Sequence, residues 1–189
     1  MKIRSILILL CVTLGFATGL TAQTKKASAW KTYKSKKLGI SFSYPSDFKV
    51  KTGDNSNGAD LIISPIHPQR KSNGEYYFAI SKSATPAVAD TPTPAADQGI
   101  NDAKPPKGLP KSKIVGGGKL KIYASSDAGA GQYSYDYGYS GIVNKSTWNI
   151  GFKENTSPVG NYGNKVHELN TSRAPGILVN LMNSLRIAK

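Results

Sequence analysis

The sequence predicts an α+β domain in which an antiparallel β-sheet is flanked by helices. The first observation is a strand signal: Ile40, Phe42 and Tyr44 alternate with serines, so that large side chains occupy one face and hydroxyls the other. The second is a helix signal near the C-terminus, where apolar residues recur at helical spacing. These residues are Ile177, Leu178, Leu181, Met182 and Leu185. An apolar strand face and an apolar helix stripe bury each other, so we expect this helix to pack on the sheet.

Residues 30–50 are predicted to form two strands, a turn and the start of a third strand. Gly39 interrupts the first run, and Pro45 ends the second because proline cannot donate a hydrogen bond to a sheet ladder. Ser46 and Asp47 are turn formers, and the residues after them return to an extended pattern. This is the clearest strand–turn–strand signal in the chain.

Residues 39–48, GISFSYPSDF, resemble the opening of the bacterial PsbP-like domains. These domains are relatives of the extrinsic oxygen-evolving subunit of photosystem II and share a fold with a Ran-binding nuclear import factor. Residues 183–187, NSLRI, are similar to the family's closing Ser-Phe-x-Phe motif, and Phe48 stands where the family most often has tryptophan. The resemblance spans residues 30–187 and implies a PsbP-like α/β/α sandwich. It implies no catalytic residues, because members of the family differ in partner.

The remaining strands follow from the same alternation. They are predicted at residues 61–63, 76–80, 114–115, 120–123, 132–142 and 147–152. A helical turn is expected at residues 165–169. Thr171 or Ser172 is expected to cap the final helix, with Pro175 in its first turn.

Residues 84–113 differ from the rest of the chain in composition. Six of the eleven prolines lie there, between alanines, threonines and lysines. Such a segment has little to bury, so we predict a surface excursion with one short helix around residues 95–102. A disordered excursion is favoured over a functional loop. Because neither flank would bury a good core alone, the excursion is expected to be a loop within a single domain at residues 30–189.

Residues 1–22 have the three-part pattern of a secretory signal peptide: a short positive region, an apolar run and a stretch of small residues. Cleavage after Ala22 would leave a polar tether at residues 23–29. Cleavage after Gly19 and an uncleaved N-terminal anchor are open alternatives. No membrane span is predicted in the mature chain. We therefore expect a bacterial protein that is exported to the periplasm, the cell surface or the medium.

Cys11 is the only cysteine and lies inside this signal. A lipid-modified cysteine is not predicted, because Leu9 and Leu10 precede it in place of small residues. After cleavage, no disulfide and no cysteine-based metal site is possible. The two histidines, His67 and His167, and the scattered acids do not have metal-ligand spacing. No metal and no cofactor are predicted.

The chain is strongly basic, with 25 lysines and arginines against 11 acidic residues and a net charge of +14. Most of the excess is lysine, which suits loose electrostatic contact better than the bidentate recognition that arginine provides. The predicted partner is an anionic envelope polymer, a lipid headgroup or an unidentified protein, and nucleic acid is not expected. A role of the charge in solubility alone stays open. The candidate binding lysines are Lys31, Lys34, Lys36 and Lys37.

A run of tyrosines is the second candidate binding surface. Its members are Tyr133, Tyr135, Tyr137 and Tyr139. Because they are two residues apart, they share one face of the predicted strand. Aromatic side chains on such a face can stack on sugar rings or bases. A sheet face covered by a helix is the favoured alternative, because tyrosine is a common strand residue.

No catalytic set is complete in the sequence. The glycine run at residues 116–118 lacks the hydroxyl residue that a phosphate-binding loop needs after its lysine. Neither histidine has the setting of a catalytic base. The sequence therefore predicts a monomeric, non-catalytic binding or accessory module. Two alternatives stay open: an extracytoplasmic hydrolase that uses Asp127, Asp136 and Ser140, and an assembly subunit that docks through its sheet.

Overall fold

The computed structural model describes residues 29–53, 58–83, 103–158 and 166–188. This described part contains ten strands and one helix. In chain order they are β1 (Trp30–Ser35), β2 (Ile40–Pro45), β3 (Phe48–Thr52), β4 (Leu61–Pro65), β5 (Gly74–Ser83), β6 (Ser112–Val115), β7 (Gly118–Gly129), β8 (Gln132–Val143), β9 (Ser146–Thr156), α1 (Ala174–Ser184) and β10 (Arg186–Ile187). Each strand predicted from alternation is present, and several are longer than predicted.

The strands form two sheets in which neighbouring strands are antiparallel. The larger sheet has seven strands in the order β3-β4-β5-β9-β8-β7-β6, and the smaller has three in the order β1-β2-β10. With α1 packed on the sheet, this architecture confirms the predicted α+β class. Of the helices that the sequence predicts on the faces of the sheet, the described ranges contain one, α1. The predicted signal peptide and the short helix around residues 95–102 lie outside the described residues.

Helix α1 begins without the side-chain cap that the sequence predicts. Its N-cap residue is Arg173, which makes no capping hydrogen bond, and Pro175 lies in its first turn. The prediction that Thr171 or Ser172 caps the helix is therefore wrong. Proline pre-sets a helical φ at a position whose N–H has no partner within the helix, and this favours the start without a cap. The helix ends where Leu185 adopts an extended backbone, and the chain then enters β10 beside β2.

The prediction of a helical turn at residues 165–169 is also wrong for residues 166–169, the part of it that the structure describes. His167 is extended and forms an isolated bridge with Ser72. Its N–H donates to the carbonyl of Lys71 at 2.7 Å, and its own carbonyl accepts from the N–H of Asn73 at 2.9 Å. These long-range backbone bonds satisfy groups that a helical turn would have satisfied locally.

The hydrophobic core lies between one face of the large sheet, which we call the inner face, and the small sheet together with α1. Ile40, Phe42, Trp148 and Leu181 meet there in a single cluster, and none is more than 4% exposed. The predicted packing of the amphipathic helix on the strands is therefore confirmed. The cluster combines residues far apart in sequence, so the N-terminal hairpin, the long β9 strand and the C-terminal helix depend on one another.

Aromatic rings form the centre of the inner face. Phe152 lies 4.8 Å from Tyr137, 5.7 Å from Phe78 and 5.7 Å from Tyr76, measured between ring centroids. The register explains this contact, because Phe152 is directly opposite Phe78 on β5 and Tyr137 on β8. Pairs at such distances contribute roughly 0.5–1.5 kcal/mol each beyond their buried area. Phe152 is thus the residue around which three neighbouring strands pack.

The opposite face of the large sheet, the outer face, contains a row of small residues beneath one tyrosine. The register aligns Ala79, Gly151, Gly138 and Tyr123 across β5, β9, β8 and β7. A Cβ added at Gly151 would lie 2.5 Å from the hydroxyl oxygen of Tyr123. The side chain of Tyr123 therefore occupies space that a side chain at position 151 would need, and glycine at this position leaves that space free. Burial, with a smaller contribution from Asp136, raises the pKa of Tyr123 to about 12.

The buried phenol predicts a specific loss of stability at alkaline pH. The folded protein holds the Tyr123 proton more tightly than the unfolded chain, where the pKa of tyrosine is about 10. Its contribution to stability is therefore complete below pH 10 and is lost as the pH rises from 10 to about 12. Over that window, the stability advantage of the native protein over Tyr123→Phe should shrink by about 1.4 kcal/mol per pH unit. Urea unfolding of both proteins at several pH values checks this, and parallel pH profiles would contradict it.

Candidate anion-binding site

A cavity of about 310 Å³ lies at one end of the large sheet, on its inner side. Three segments surround it: the β1–β2 turn, the β8–β9 turn and the chain after α1. Its basic side chains are Lys36, Lys37 and Lys82, and Trp148 is its aromatic side chain. We refer to it below as the lysine cavity.

The β1–β2 turn brings two of these lysines to the lysine cavity. Gly39 has φ +68°, a left-handed conformation that glycine adopts without strain, and its N–H donates to the carbonyl of Ser35 at 2.9 Å. The turn buries Leu38 and leaves Lys36 and Lys37 exposed. An apolar residue thus anchors the turn while the ammonium groups remain accessible.

The β8–β9 turn forms the opposite wall. Asn144 and Lys145 both have left-handed φ values, 50° and 61°, as a two-residue type I′ hairpin turn requires. The side-chain amide of Asn144 donates to the carbonyl of Ala188 at 2.8 Å. The N–H of Ala188 in turn donates to the carbonyl of Gly39 at 2.8 Å. One residue after β10 therefore holds both turns in place around the cavity.

Lys82 and Trp148 are a cross-strand pair at the end of β5 and β9. The Lys82 ammonium lies 5.2 Å from the centroid of the Trp148 ring, within the range of a cation–π interaction. Trp148 is 1% exposed, and its Nε1 is a buried donor without a hydrogen-bond partner in the described part of the chain. A buried unpaired donor is destabilising by roughly 1–3 kcal/mol and is uncommon in folded proteins.

The charge around the lysine cavity is not balanced by ion pairs in the described ranges. The salt bridges in the described ranges are Lys153–Asp136, at 3.3 Å, and Arg173–Asp47, at 2.9 Å, and neither involves a residue of the cavity. Asp60 lies close to Lys82, but its carboxylate accepts from the backbone N–H of that residue, at 2.7 Å. The ammonium groups that line the cavity therefore form no salt bridge with a described acid.

Of the lysines that the sequence singles out, two belong to this site. Lys36 and Lys37 line the cavity, whereas Lys31 and Lys34 are exposed on β1 outside its lining. Sequence reasoning misses Lys82 and predicts no more for Trp148 than a place in the strand at residues 147–152. The signal that unites them is the register of β5 with β9, which is not a property of either segment alone.

The tyrosine run is divided between the core and the surface. Tyr137 and Tyr139 are 2% and 1% exposed, so they belong to the core, as the favoured alternative of a covered sheet face predicts, and not to an open stacking face. Tyr133, at 52% exposed, is the open member. The hydroxyl of Tyr139 donates to the carbonyl of Pro110 at 3.0 Å, and that of Tyr135 donates to the carbonyl of Lys104. These tyrosines hold the end of the proline-rich excursion against the sheet.

Of the residues of the hydrolase alternative, Asp127 and Asp136 are diagonal neighbours on β7 and β8, whereas Ser140 lies apart from them. Asp136 pairs with Lys153, and Asp127 accepts from the N–H of Ala128 at 2.8 Å. Ser140 is four residues from Asp136 on the same strand, which places them about 13 Å apart along it. None of the three residues lines the cavities of about 280, 310 and 270 Å³ in the described part of the chain.

A second cavity, of about 280 Å³, lies at the opposite end of the large sheet. Its lining includes Tyr133, Glu154 and Glu168. Burial raises the pKa of Glu154 above its ordinary value. No group of three or more His, Cys, Asp or Glu side chains suited to a metal occurs in the described ranges.

Membrane insertion through a helix also has no candidate in the described part. The helix in this part of the chain, α1, does not have the length and apolar content needed to cross a bilayer.

The comparisons with known proteins find solved structures that are similar to this chain but no protein that is similar in sequence. No protein-family model and no curated protein matches the chain. The solved structures that are similar include LpqN of Mycobacterium tuberculosis, which is involved in cell envelope biogenesis. The TM-score with LpqN is 0.43 at 10% identity, over 85% of this chain and 91% of that one.

Two further solved structures are similar to this chain. A Bacteroides thetaiotaomicron protein has a TM-score of 0.39 at 16% identity, over 84% of this chain and 48% of that one. The PsbP protein CyanoP of Synechocystis sp. PCC 6803 has a TM-score of 0.33 at 14% identity, over 90% of this chain and 98% of that one. One of these solved structures is therefore a PsbP protein.

Proposed function

We propose that the chain is an exported, non-catalytic binding module that contacts anionic lipid headgroups of the bacterial envelope through the lysine cavity. The observation that carries the proposal is the convergence of Lys36, Lys37 and Lys82 on one cavity without a salt bridge to a described acid. Like charges held together repel each other, and an anionic ligand relieves that repulsion.

The form of the cavity favours a headgroup over an extended polymer or a protein surface. Its volume of about 310 Å³ is at the small end of the range for ligand sites. Leu38, Val143 and Ile187 provide apolar lining beside the lysines. A compact cavity lined by both lysines and apolar side chains suits a single charged group attached to an apolar chain.

The absence of catalysis is part of the proposal and has independent support. Ser140 of the hydrolase alternative lies away from the two acids along β8, and Asp136 is engaged with Lys153. His67 and His167 are both exposed. Export rests on the signal-like pattern of residues 1–22, which gives the proposed module access to the envelope.

Vesicle sedimentation tests this function. The exported protein should bind vesicles containing phosphatidylglycerol and should not bind vesicles of phosphatidylcholine alone, and added salt should weaken the binding. Replacing Lys36, Lys37 and Lys82 together with glutamine should weaken it about a hundredfold, because each lysine near an anionic surface contributes about 1 kcal/mol.

A matched variant separates the lysine cavity from net charge. Lys49, Lys51 and Lys121 are exposed on the outer face, and their replacement with glutamine removes the same charge. This control should retain most of the binding. Equal loss in the two triple variants would mean that overall charge, and not the cavity, is responsible. Equal retention of the native protein on neutral and anionic vesicles would overturn the proposed function.

A further inference from the structure

We infer that the cleft between β1 and the first turns of α1 is a binding site for one neutral sugar ring, which stacks on the indole of Trp30. We refer to this cleft below as the tryptophan cleft. Its volume is about 270 Å³, just below the usual range for drug-sized ligands, and this suits a single ring. It shares no lining residue with the lysine cavity, so the inference does not depend on the proposed function.

Trp30 gives the tryptophan cleft an accessible aromatic surface. Its side chain is 42% exposed and lies opposite Pro45 in the register of β1 with β2. Within the described part of the chain, its ring stacks on no other aromatic ring and on no ammonium or guanidinium group. An exposed ring without such a partner is available to a ligand, and the C–H face of a pyranose is a flat apolar surface that stacks on it.

The α1 side of the tryptophan cleft is kept open by a glycine. Gly176 lies in the first turn of the helix, where glycine is less favourable than alanine. A Cβ added there would have no heavy atom within 4 Å, so the space beside the helix backbone is empty of protein. Ile177, which is 4% exposed, and Pro45 add apolar lining. The cleft therefore offers a ring both space and apolar contact.

The polar side chains of the tryptophan cleft suit hydroxyl groups. The side-chain amide of Asn180 has donors and an acceptor, and it forms no hydrogen bond with a described residue. Arg173 donates from Nη1 to Asp47 at 2.9 Å, and its remaining N–H groups have no partner in the described ranges. Because a hydroxyl both donates and accepts, one planar amide or guanidinium can bind two neighbouring hydroxyls of a sugar.

The balance of charge favours a neutral ligand. Arg173 is the charged residue among the described residues that line the cleft, and its salt bridge with Asp47 leaves the pair without net charge. An anion would compete with Asp47 for the guanidinium, and a cation would find no lining carboxylate. A purely apolar ligand would cover the amide of Asn180 without replacing its hydrogen bonds to water. A sugar ring, with an apolar face and a hydroxyl edge, satisfies both parts of the lining.

Two-dimensional NMR of the protein labelled at its tryptophan indole nitrogens tests the ligand class. The chain has two tryptophans, and Trp148, at 1% exposed, provides an internal control. The probes are the methyl glycosides of glucose, galactose and N-acetylglucosamine at millimolar concentrations, with glycerol and adenosine for comparison. Glycerol has hydroxyl groups without a ring, and adenosine has a flat base that stacks on aromatic side chains.

The expected result is a saturable shift of the Trp30 indole signal with at least one glycoside, while the Trp148 signal stays in place. Glycerol should cause no shift, and adenosine none or a smaller one. No shift with any of the three glycosides would overturn the inference. An equal or larger shift with adenosine would also overturn it, because the cleft would then select a flat ring and not a sugar.

Calorimetric titration of the glycoside that shifts the signal tests the named residues. Trp30→Ala should weaken binding about tenfold or more, as expected for the loss of an aromatic stacking surface, and Trp30→Phe should retain more of it. Gly176→Leu should abolish binding, because the new side chain fills the cleft, and it should not destabilise α1, because leucine is a better helix former than glycine.

Gly129→Leu is the matched control for Gly176→Leu. It adds the same side chain at the end of β7, where an added Cβ also has no heavy atom within 4 Å, and it should bind as the native protein does. Unfolding curves establish that each variant is folded; if Trp30→Ala is not, Gly176→Leu decides. Unchanged affinity in a folded Trp30→Ala or Gly176→Leu protein would overturn the assignment.

The two proposals fail independently of each other. The variant in which the three cavity lysines are replaced should bind the glycoside with native affinity, because none of those lysines lines the tryptophan cleft. Loss of glycoside binding in that variant would contradict the placement of the sugar at Trp30.

Discussion

Replacing Phe152 with alanine should lower the free energy of unfolding by about 3–5 kcal/mol, the range for large aromatic residues removed from a core. Phe152 is 1% exposed and contacts the rings of Tyr76, Phe78 and Tyr137. Its removal leaves a cavity between three strands whose positions are fixed by backbone hydrogen bonds. The strands therefore have little freedom to close the space. Urea unfolding followed by circular dichroism measures the effect.

A matched control for Phe152→Ala is available on the same face of the sheet. Tyr133→Ala also removes an aromatic ring, but Tyr133 is 52% exposed near the end of β8. Its effect should stay within about 0.5 kcal/mol, as is usual for surface positions. If Phe152→Ala is too unstable to purify, Phe152→Leu should fold with a smaller loss. Equal stability of Phe152→Ala and Tyr133→Ala would contradict the assignment of Phe152 to the centre of the core.

Replacing Gly138 with alanine should destabilise the protein by about 1–3 kcal/mol or more, the range for overpacking a tight interior. An added Cβ would lie 2.4 Å from the Cα of Gly151 and 2.4 Å from the carbonyl oxygen of Ile150. Both are backbone atoms of β9, so no side-chain rotation can relieve the contact. The β8–β9 pair would have to separate locally, which weakens hydrogen bonds at the centre of the seven-stranded sheet.

The control for Gly138→Ala is the same substitution at Gly176. That residue lies in the first turn of α1, and an added Cβ has no heavy atom within 4 Å. Alanine is the better helix former, so Gly176→Ala should leave stability unchanged or raise it by up to about 1 kcal/mol. Thermal or urea unfolding of the two variants should give shifts of opposite sign or very different size. A harmless Gly138→Ala would contradict the close approach of β8 and β9.

The two expected effects differ in how far the sequence could predict them. Phe152 is in phase with Trp148 and Ile150, so alternation alone indicates a buried position. Nothing in the residues around Gly138 indicates that its hydrogen faces the backbone of β9. The difference arises because alternation reports which face a side chain occupies, whereas close approach depends on the pairing and curvature of strands.

The candidate site likewise combines residues that the sequence singles out with residues that only the pairing of strands brings together. The sequence singles out Lys31, Lys34, Lys36 and Lys37 as candidate binding lysines, and two of them, Lys36 and Lys37, line the cavity. Lys82 and Trp148 become part of the site only through the β5–β9 register, and Ala188 bonds to both of the turns that line the cavity. The tyrosine run is the converse case: its shared face is correctly predicted, but the burial of Tyr137 depends on what packs above it.

By itself the sequence determined the α+β class, the positions of the strands, the amphipathic C-terminal helix and the excess of lysine. These properties follow from the local periodicity and chemistry of side chains, which each segment has before it meets another. The tertiary structure alone decided which strands are neighbours, which tyrosines are buried and which lysines converge beside the unpaired indole of Trp148. Those outcomes depend on contacts between segments distant in the chain, whose free energy is shared by the whole core and by no single stretch of sequence.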